Sequence, residues 1–171
     1  AAGDSTTATL DKSGCSTLAD GAVGIWATGA LEFGTWDDST FAEEFDHATR
    51  RLTVGLDYQL SDRAIAGLSL GYTRDVTEIG TSGSESTNKA LSAAVYLTYG
   101  LDSDFFVDSM VGVSKLGFDS RRWVASESVM ALGERDGRQV FFSVALGKDF
   151  SAETHDLEAF LRLSGSRSVL D

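Results

Sequence analysis

From Ile25 to the last residue the chain repeats with a period of two that hardly breaks. In "RRLTVGLDYQLSDRAIAGLSLGYTRD", residues 50–75, Leu52, Val54, Leu56, Tyr58 and Leu60 alternate with Arg51, Thr53, Gly55, Asp57 and Gln59. After Ser61-Asp62-Arg63 the pattern resumes, with Ala66, Leu68, Leu70 and Tyr72 set against Gly67, Ser69, Gly71 and Thr73. Residues two apart share one face of a strand, so each run has a bulky apolar face and a small or polar one. Seven such runs are present, at 25–36, 50–60, 64–75, 89–101, 104–118, 138–150 and 157–168. The chain has no proline and eighteen glycines. That suits long strands, because proline interrupts a ladder and glycine admits close backbone approach. The pattern predicts an all-β, antiparallel up-and-down meander.

The connections decide which solvent the apolar face meets. Those after the second, fourth and sixth runs are short, at Ser61-Asp62-Arg63, Asp102-Ser103 and Ser151 to Asp156. Those after the first, third and fifth are long, at 37–49, 76–88 and 119–137. Tight turns at one end and long loops at the other describe a transmembrane β-barrel wall. The rings agree with this. Tyr58, Tyr99, Phe105 and Phe150 fall beside the short turns on the apolar face, and Tyr72 falls near a long loop, as interfacial girdles require. The opposite face carries Gly, Ser, Thr and Ala with scattered charges, which suits a hydrated lumen. Arg51, Asp57, Asp108, Asp149, Glu158 and Arg162 are the charged residues expected to face it. Lys115 and Lys148 fall on the apolar parity near strand ends, where snorkelling or a bulge accommodates them. The alternative is a soluble ligand-binding or self-associating β-sheet domain with its apolar face turned inward.

At 171 residues the chain is long enough for one domain with a real core. A net charge of −12 argues against general nucleic-acid binding, which wants a basic face. Cys15 is the one cysteine, so no internal disulfide forms. No run approaches the ~18 apolar residues of a membrane helix. Neither a Met nor a basic n-region precedes "AAGDSTTATL", and any export signal is expected to have been removed or to lie outside this sequence. Residues 1–24 are small and polar and read as a linker or lead-in, with room for a short helix around Leu10 to Leu18.

Four stretches, "GIWATGALEFG", "LTVGLDYQLSDRAIAGLSLGYTRD", "FFVDSMVGVSKLGFDSRRW" and "LEAFLRLSGSRSVLD", together resemble the autotransporter translocator domain, the C-terminal barrel of type V secretion proteins. The likeness runs from about Gly21 to Asp171. It implies a bacterial outer-membrane barrel of twelve antiparallel strands, whose pore is threaded by a linker to an N-terminal passenger displayed or released outside. By that resemblance residues 1–24 are the candidate linker and 25–171 a partial barrel. The partners it implies are outer-membrane lipid, the chain's own passenger and linker, the barrel-assembly machinery and periplasmic chaperones. Seven strands depart from the family's twelve. An odd count is awkward for closure, and an open edge in lipid leaves backbone groups unsatisfied, so a fragment of a longer barrel or closure by oligomerisation is expected.

Nothing in the sequence calls for covalent chemistry, a cofactor or a metal, and no enzyme activity is expected. His47, in an acidic long loop, and His155, in a short turn, are expected at opposite ends of the wall, too far apart for one metal site or acid–base pair. No G-x-S-x-G elbow supports a serine hydrolase. Some members of the resembled family cleave their linker with an Asn; the one Asn here, Asn88, lies between the third and fourth runs, so that chemistry does not carry over. "DDSTFAEEFDH", residues 37–47, lacks the alternating ligands and fixed glycine of a calcium loop.

Overall fold

The computed structural model describes residues 4–10, 16–18, 22–36, 45–152 and 155–171. The seven expected runs become seven long antiparallel strands. They are β3 (Val23–Trp36), β4 (Phe45–Ser61), β5 (Ala64–Ile79), β6 (Ser84–Gly100), β7 (Phe105–Val124), β8 (Val129–Ala152) and β9 (His155–Leu170). Each pairs with the next in a single meander sheet, and the sheet is open, with β9 at one edge. In the lead-in, β1 (Asp4–Leu10) and β2 (Ser16–Leu18) lie antiparallel on the free side of β3. The short helix expected around Leu10 to Leu18 is therefore replaced by strand at both its ends, with residues 11–15 outside the described residues. The physical reason is that β3 offers an open row of N–H and C=O groups, which a Ser/Thr-rich segment satisfies more readily than it forms an isolated helix.

The connections expected to be long are largely paired backbone. The segment 76–88 is strand except for a turn at 80–83, and 119–137 is strand except for a turn at 125–128. Residues 45–49 begin β4, which leaves 37–44 outside the described residues. His47 and Asn88 thus sit in strands and not in loops. Periodicity missed these extensions for a physical reason. Beyond the apolar band both faces meet water, so the alternation ends while the ladder continues. Gly80 and Gly83 take left-handed φ of 60° and 78° in the first of these turns, a conformation glycine adopts without steric cost.

At the other end the turns are tight, as expected. A register shift between Gln59 and Ser61 closes the β4–β5 turn at Asp62 and Arg63. The Arg63 guanidinium reaches Asp102 in the β6–β7 turn at 2.7 Å, and Gly100 N–H donates to the Arg63 carbonyl at 2.7 Å. Neighbouring hairpins are tied together at their tips.

Among the described residues no hydrophobic core of the soluble kind forms. Among the described residues the buried apolar side chains are Ala64 and Ala145, while Leu70 is 60% and Leu91 61% exposed. The small-residue face is the more sheltered one. Ala94 on it is half-buried, and Ala93 on the apolar face is exposed. Large rings on the small-residue face explain this by folding over its glycines: Trp26 covers Gly55, Tyr96 covers Gly67, Phe141 covers Gly112 and Phe106 covers Gly147.

Candidate membrane-facing wall and polar face

Register places all five expected interfacial rings, Tyr58, Tyr72, Tyr99, Phe105 and Phe150, on the apolar face, each exposed. The rows of directly paired residues run across the strands, and the rings near the tight turns do not follow one row. Tyr99 lies one same-face row beyond that of Tyr58, Phe105 one beyond Tyr99, and Phe150 one beyond Phe105. The line of rings therefore descends toward the tight turns from β4 to β8.

The other border of the apolar band carries a second line, which sequence reading missed. Arg50, Arg74 and Lys89 are direct partners in one row of β4, β5 and β6. Lys115 and Arg138 are partners in the next row toward the tight turns, on β7 and β8, and Arg167 of β9 lies one row further. Each of these six strands has one cation at the end of its apolar run. The signal was available in the sequence as the basic residue that ends each alternating run, but only register shows that the cations are neighbours.

Both lines slope in the same sense. With about 6.7 Å per same-face step and about 4.8 Å between strands, the cation line implies strands tilted by about 30° and the ring line by about 45°. Membrane barrels tilt their strands by about 35–45°, so the ring line falls at the top of that range and the cation line about 5° below it. Between the lines, β6 presents Leu91, Ala93, Val95, Leu97 and Tyr99. That is about the length of strand that crosses a bilayer core when tilted. At mid-band Leu56, Leu68, Val95, Val111 and Val140 line a shallow open depression of about 660 Å³. Side chains that could orient a polar ligand are missing from its apolar floor, which suits hydrocarbon.

Lys148 is the cation inside the ring line. Its Nζ lies 4.8 Å from the Phe105 ring centroid and 5.1 Å from that of Phe150. The ammonium is held between two rings of the apolar face, a cation–π arrangement compatible with the expected snorkelling. Replacing it (Lys148→Ala) is expected to lower unfolding free energy in lipid by about 1 kcal/mol. Urea titration of the protein in vesicles checks this, and an unchanged midpoint would remove the contact from the account.

The six charged residues expected on the other face, Arg51, Asp57, Asp108, Asp149, Glu158 and Arg162, all share it by register, but among the described residues no two of them form an ion pair. Among the described residues Arg51 makes the one ion pair on this face, with Glu32 at 3.9 Å and both side chains well exposed, an interaction worth little. Asp57 is the acceptor at the centre of a cluster. Trp26 Nε1–H is shared between Asp57 Oδ1 at 3.2 Å and Tyr96 Oη at 2.7 Å, and the Tyr96 hydroxyl donates to the same carboxylate. Trp26 belongs to β3 and Tyr96 to β6, so they meet by leaning over Gly55 and Gly67, with ring centroids 6.3 Å apart. Asp108 accepts from Thr98 Oγ1 at 2.7 Å, and the Arg162 guanidinium lies 5.2 Å from the Phe160 ring centroid. Asp149 and Glu158 are direct cross-strand partners, a like-charge pair.

Sequence reading missed Asp75, which accepts from Thr49 Oγ1 at 2.6 Å and from Asn88 Nδ2 at 3.4 Å on this same face. His47 also lies here, above Gly34, with its Nδ1 buried and without a hydrogen-bond partner. The side chain of His155 is outside the described residues. No three His, Cys, Asp or Glu side chains converge as a metal site among the described residues. What the arrangement provides is a greasy wall bordered by rings and cations, and a polar face held by hydrogen bonds.

The sequence model of one family, the autotransporter beta-domain, matches residues 25–171, from within β3 to the last residue. No curated protein and no solved structure matches the chain significantly.

Proposed function

Because this chain belongs to the autotransporter beta-domain family, an outer-membrane translocator domain in general terms, we propose that it anchors an N-terminal passenger in the bacterial outer membrane and helps to export or display it. The single observation that carries this reading is the exposed apolar face bordered by two lines that slope in the same sense. The band supplies contact with hydrocarbon, the rings and cations set its depth, and the face with Asp57, Asp75 and Asp108 supplies a wet surface along which a linker passes. No residue in this scheme forms a covalent bond, and no cofactor takes part. Barrel-assembly machinery and periplasmic chaperones are the partners that bring such a strand set into the membrane.

The experiment is surface display. The whole protein is produced in a Gram-negative host with an epitope at the N-terminal end of its passenger. The epitope is expected on intact cells, where external protease removes it, while the barrel segment fractionates with outer membranes and resists alkaline extraction. A chain that stays monomeric and folded in detergent-free buffer, with its epitope never at the surface, would overturn the proposal in favour of a soluble sheet domain.

A further inference from the structure

We propose that the cation line is a docking site for the phosphate groups of outer-leaflet lipid headgroups. Six of the fourteen Lys and Arg residues of an acidic chain, Arg50, Arg74, Lys89, Lys115, Arg138 and Arg167, gather at one border of the apolar band, and all are exposed. Several are placed in mutual repulsion. Arg50 pairs with Arg74, Arg74 with Lys89, and Lys115 with Arg138, each directly across the ladder. Like charges in that position destabilise a sheet unless an anion bridges them.

The described residues supply an anion to one of them. Among the described residues Lys89 is paired, with Asp119 at 2.7 Å. The nearby carboxylates of this face lie on the far side of the line. Asp119 and Glu134 stand two rows beyond Lys115 and Arg138 on their strands, and Glu85, which takes the Arg121 guanidinium at 2.8 Å, stands two rows beyond Lys89. Asp136 shares the row of Lys89, with Gly117 between them. Toward the tight turns the neighbours are apolar, namely Leu52, Leu91, Val113 and Val140. The free cations therefore face a region that offers hydrocarbon below and water above, the level at which lipid phosphates lie. The extended hairpins at 76–88 and 119–137 rise on this side, which identifies it as the outer leaflet by the usual barrel asymmetry. Guanidinium groups bind phosphate through paired donors, so four arginines in six positions fit a phosphate layer well.

The proposal rests on the apolar face meeting lipid, and its test separates the two. The protein is reconstituted in phosphatidylcholine vesicles with tracer spin-labelled lipids, and the motionally restricted spectral component is measured. Wild type is expected to hold labelled phosphatidic acid about fivefold more strongly than labelled phosphatidylcholine. In R50Q/R74Q/K115Q/R138Q the ratio is expected to fall close to unity, while R51Q/R162Q, altered on the other face, keeps it. Equal ratios in wild type overturn the proposal, whether or not the fourfold variant folds. So does a ratio unchanged in that variant, or a preference that inorganic phosphate removes and chloride of equal ionic strength does not, which marks a general anion site. A wild type that restricts no labelled lipid overturns the lipid-facing wall itself and the docking line with it.

Discussion

An arginine at Val144 is expected to destabilise the protein in vesicles by about 2–4 kcal/mol, whereas one at the adjacent Ser143 stays within about 1 kcal/mol of wild type. The two residues are neighbours on β8 and lie at the same depth. Val144 belongs to the apolar face, in the row of Tyr58 and Leu97, and is 45% exposed to whatever surrounds the wall. Ser143 stands between Met110 and Ser164 on the other face. A third arginine, Val169→Arg, separates lipid from a packed protein interior. Val169 pairs with Arg138 at the border of the band, where a new cation reaches headgroups and costs about 0–1 kcal/mol. Equilibrium unfolding of the three variants in vesicles gives the comparison. Equal losses at Val144 and Val169, or a greater loss at Ser143, would show that the apolar face does not meet a bilayer.

Adding one methyl group at Gly67 is expected to cost about 2 kcal/mol, within the usual range for overpacking. Gly67 is the floor on which the Tyr96 ring rests, and a Cβ there overlaps ring carbons and the hydroxyl. Displacing Tyr96 also breaks its hydrogen bonds to Asp57 and Trp26, so a half-buried network is lost along with the packing. Gly117→Ala is the control. Its new Cβ meets Asp136 Oδ1 at 3.7 Å, an ordinary contact, and stability is expected to move by less than about 0.5 kcal/mol. The double variant G67A/Y96A is expected to lose less than the sum of its single changes, because removing the ring removes the overlap. Additive losses would mean that Tyr96 does not occupy the space over Gly67.

Much of this fold was legible from period alone, and the reason is visible at Val95. Its neighbours in sequence, Ala94 and Tyr96, face the opposite way, so wherever the two faces meet different media the composition of the chain records it. The same logic explains the failures. Thr87 and Asp119 are partners in a ladder that reads as loop, because both of their faces are polar and no contrast remains to be seen. The cation line was hidden for another reason. Arg74 and Lys89 are far apart in sequence and adjacent in space, and the sequence holds no register. Nor did alternation reveal which inward charges meet. Asp57 was expected on the polar face, but parity could not say that it serves two hydrogen-bond donors, Trp26 and Tyr96, that come from strands on either side. Face assignment needs only parity, whereas partner assignment needs pairing.

The paired backbone that rises past the cation line has an immunological consequence. Linear peptides copied from 119–137 would be extended and free in solution, whereas in the protein this stretch is a ribbon hinged at 125–128, its two halves locked together from Asp119–Glu134 to Val124–Val129. Antibodies raised against such peptides would recognise the tip poorly and the flanks hardly at all. Sera elicited by the folded protein would contain specificities that peptide arrays never register.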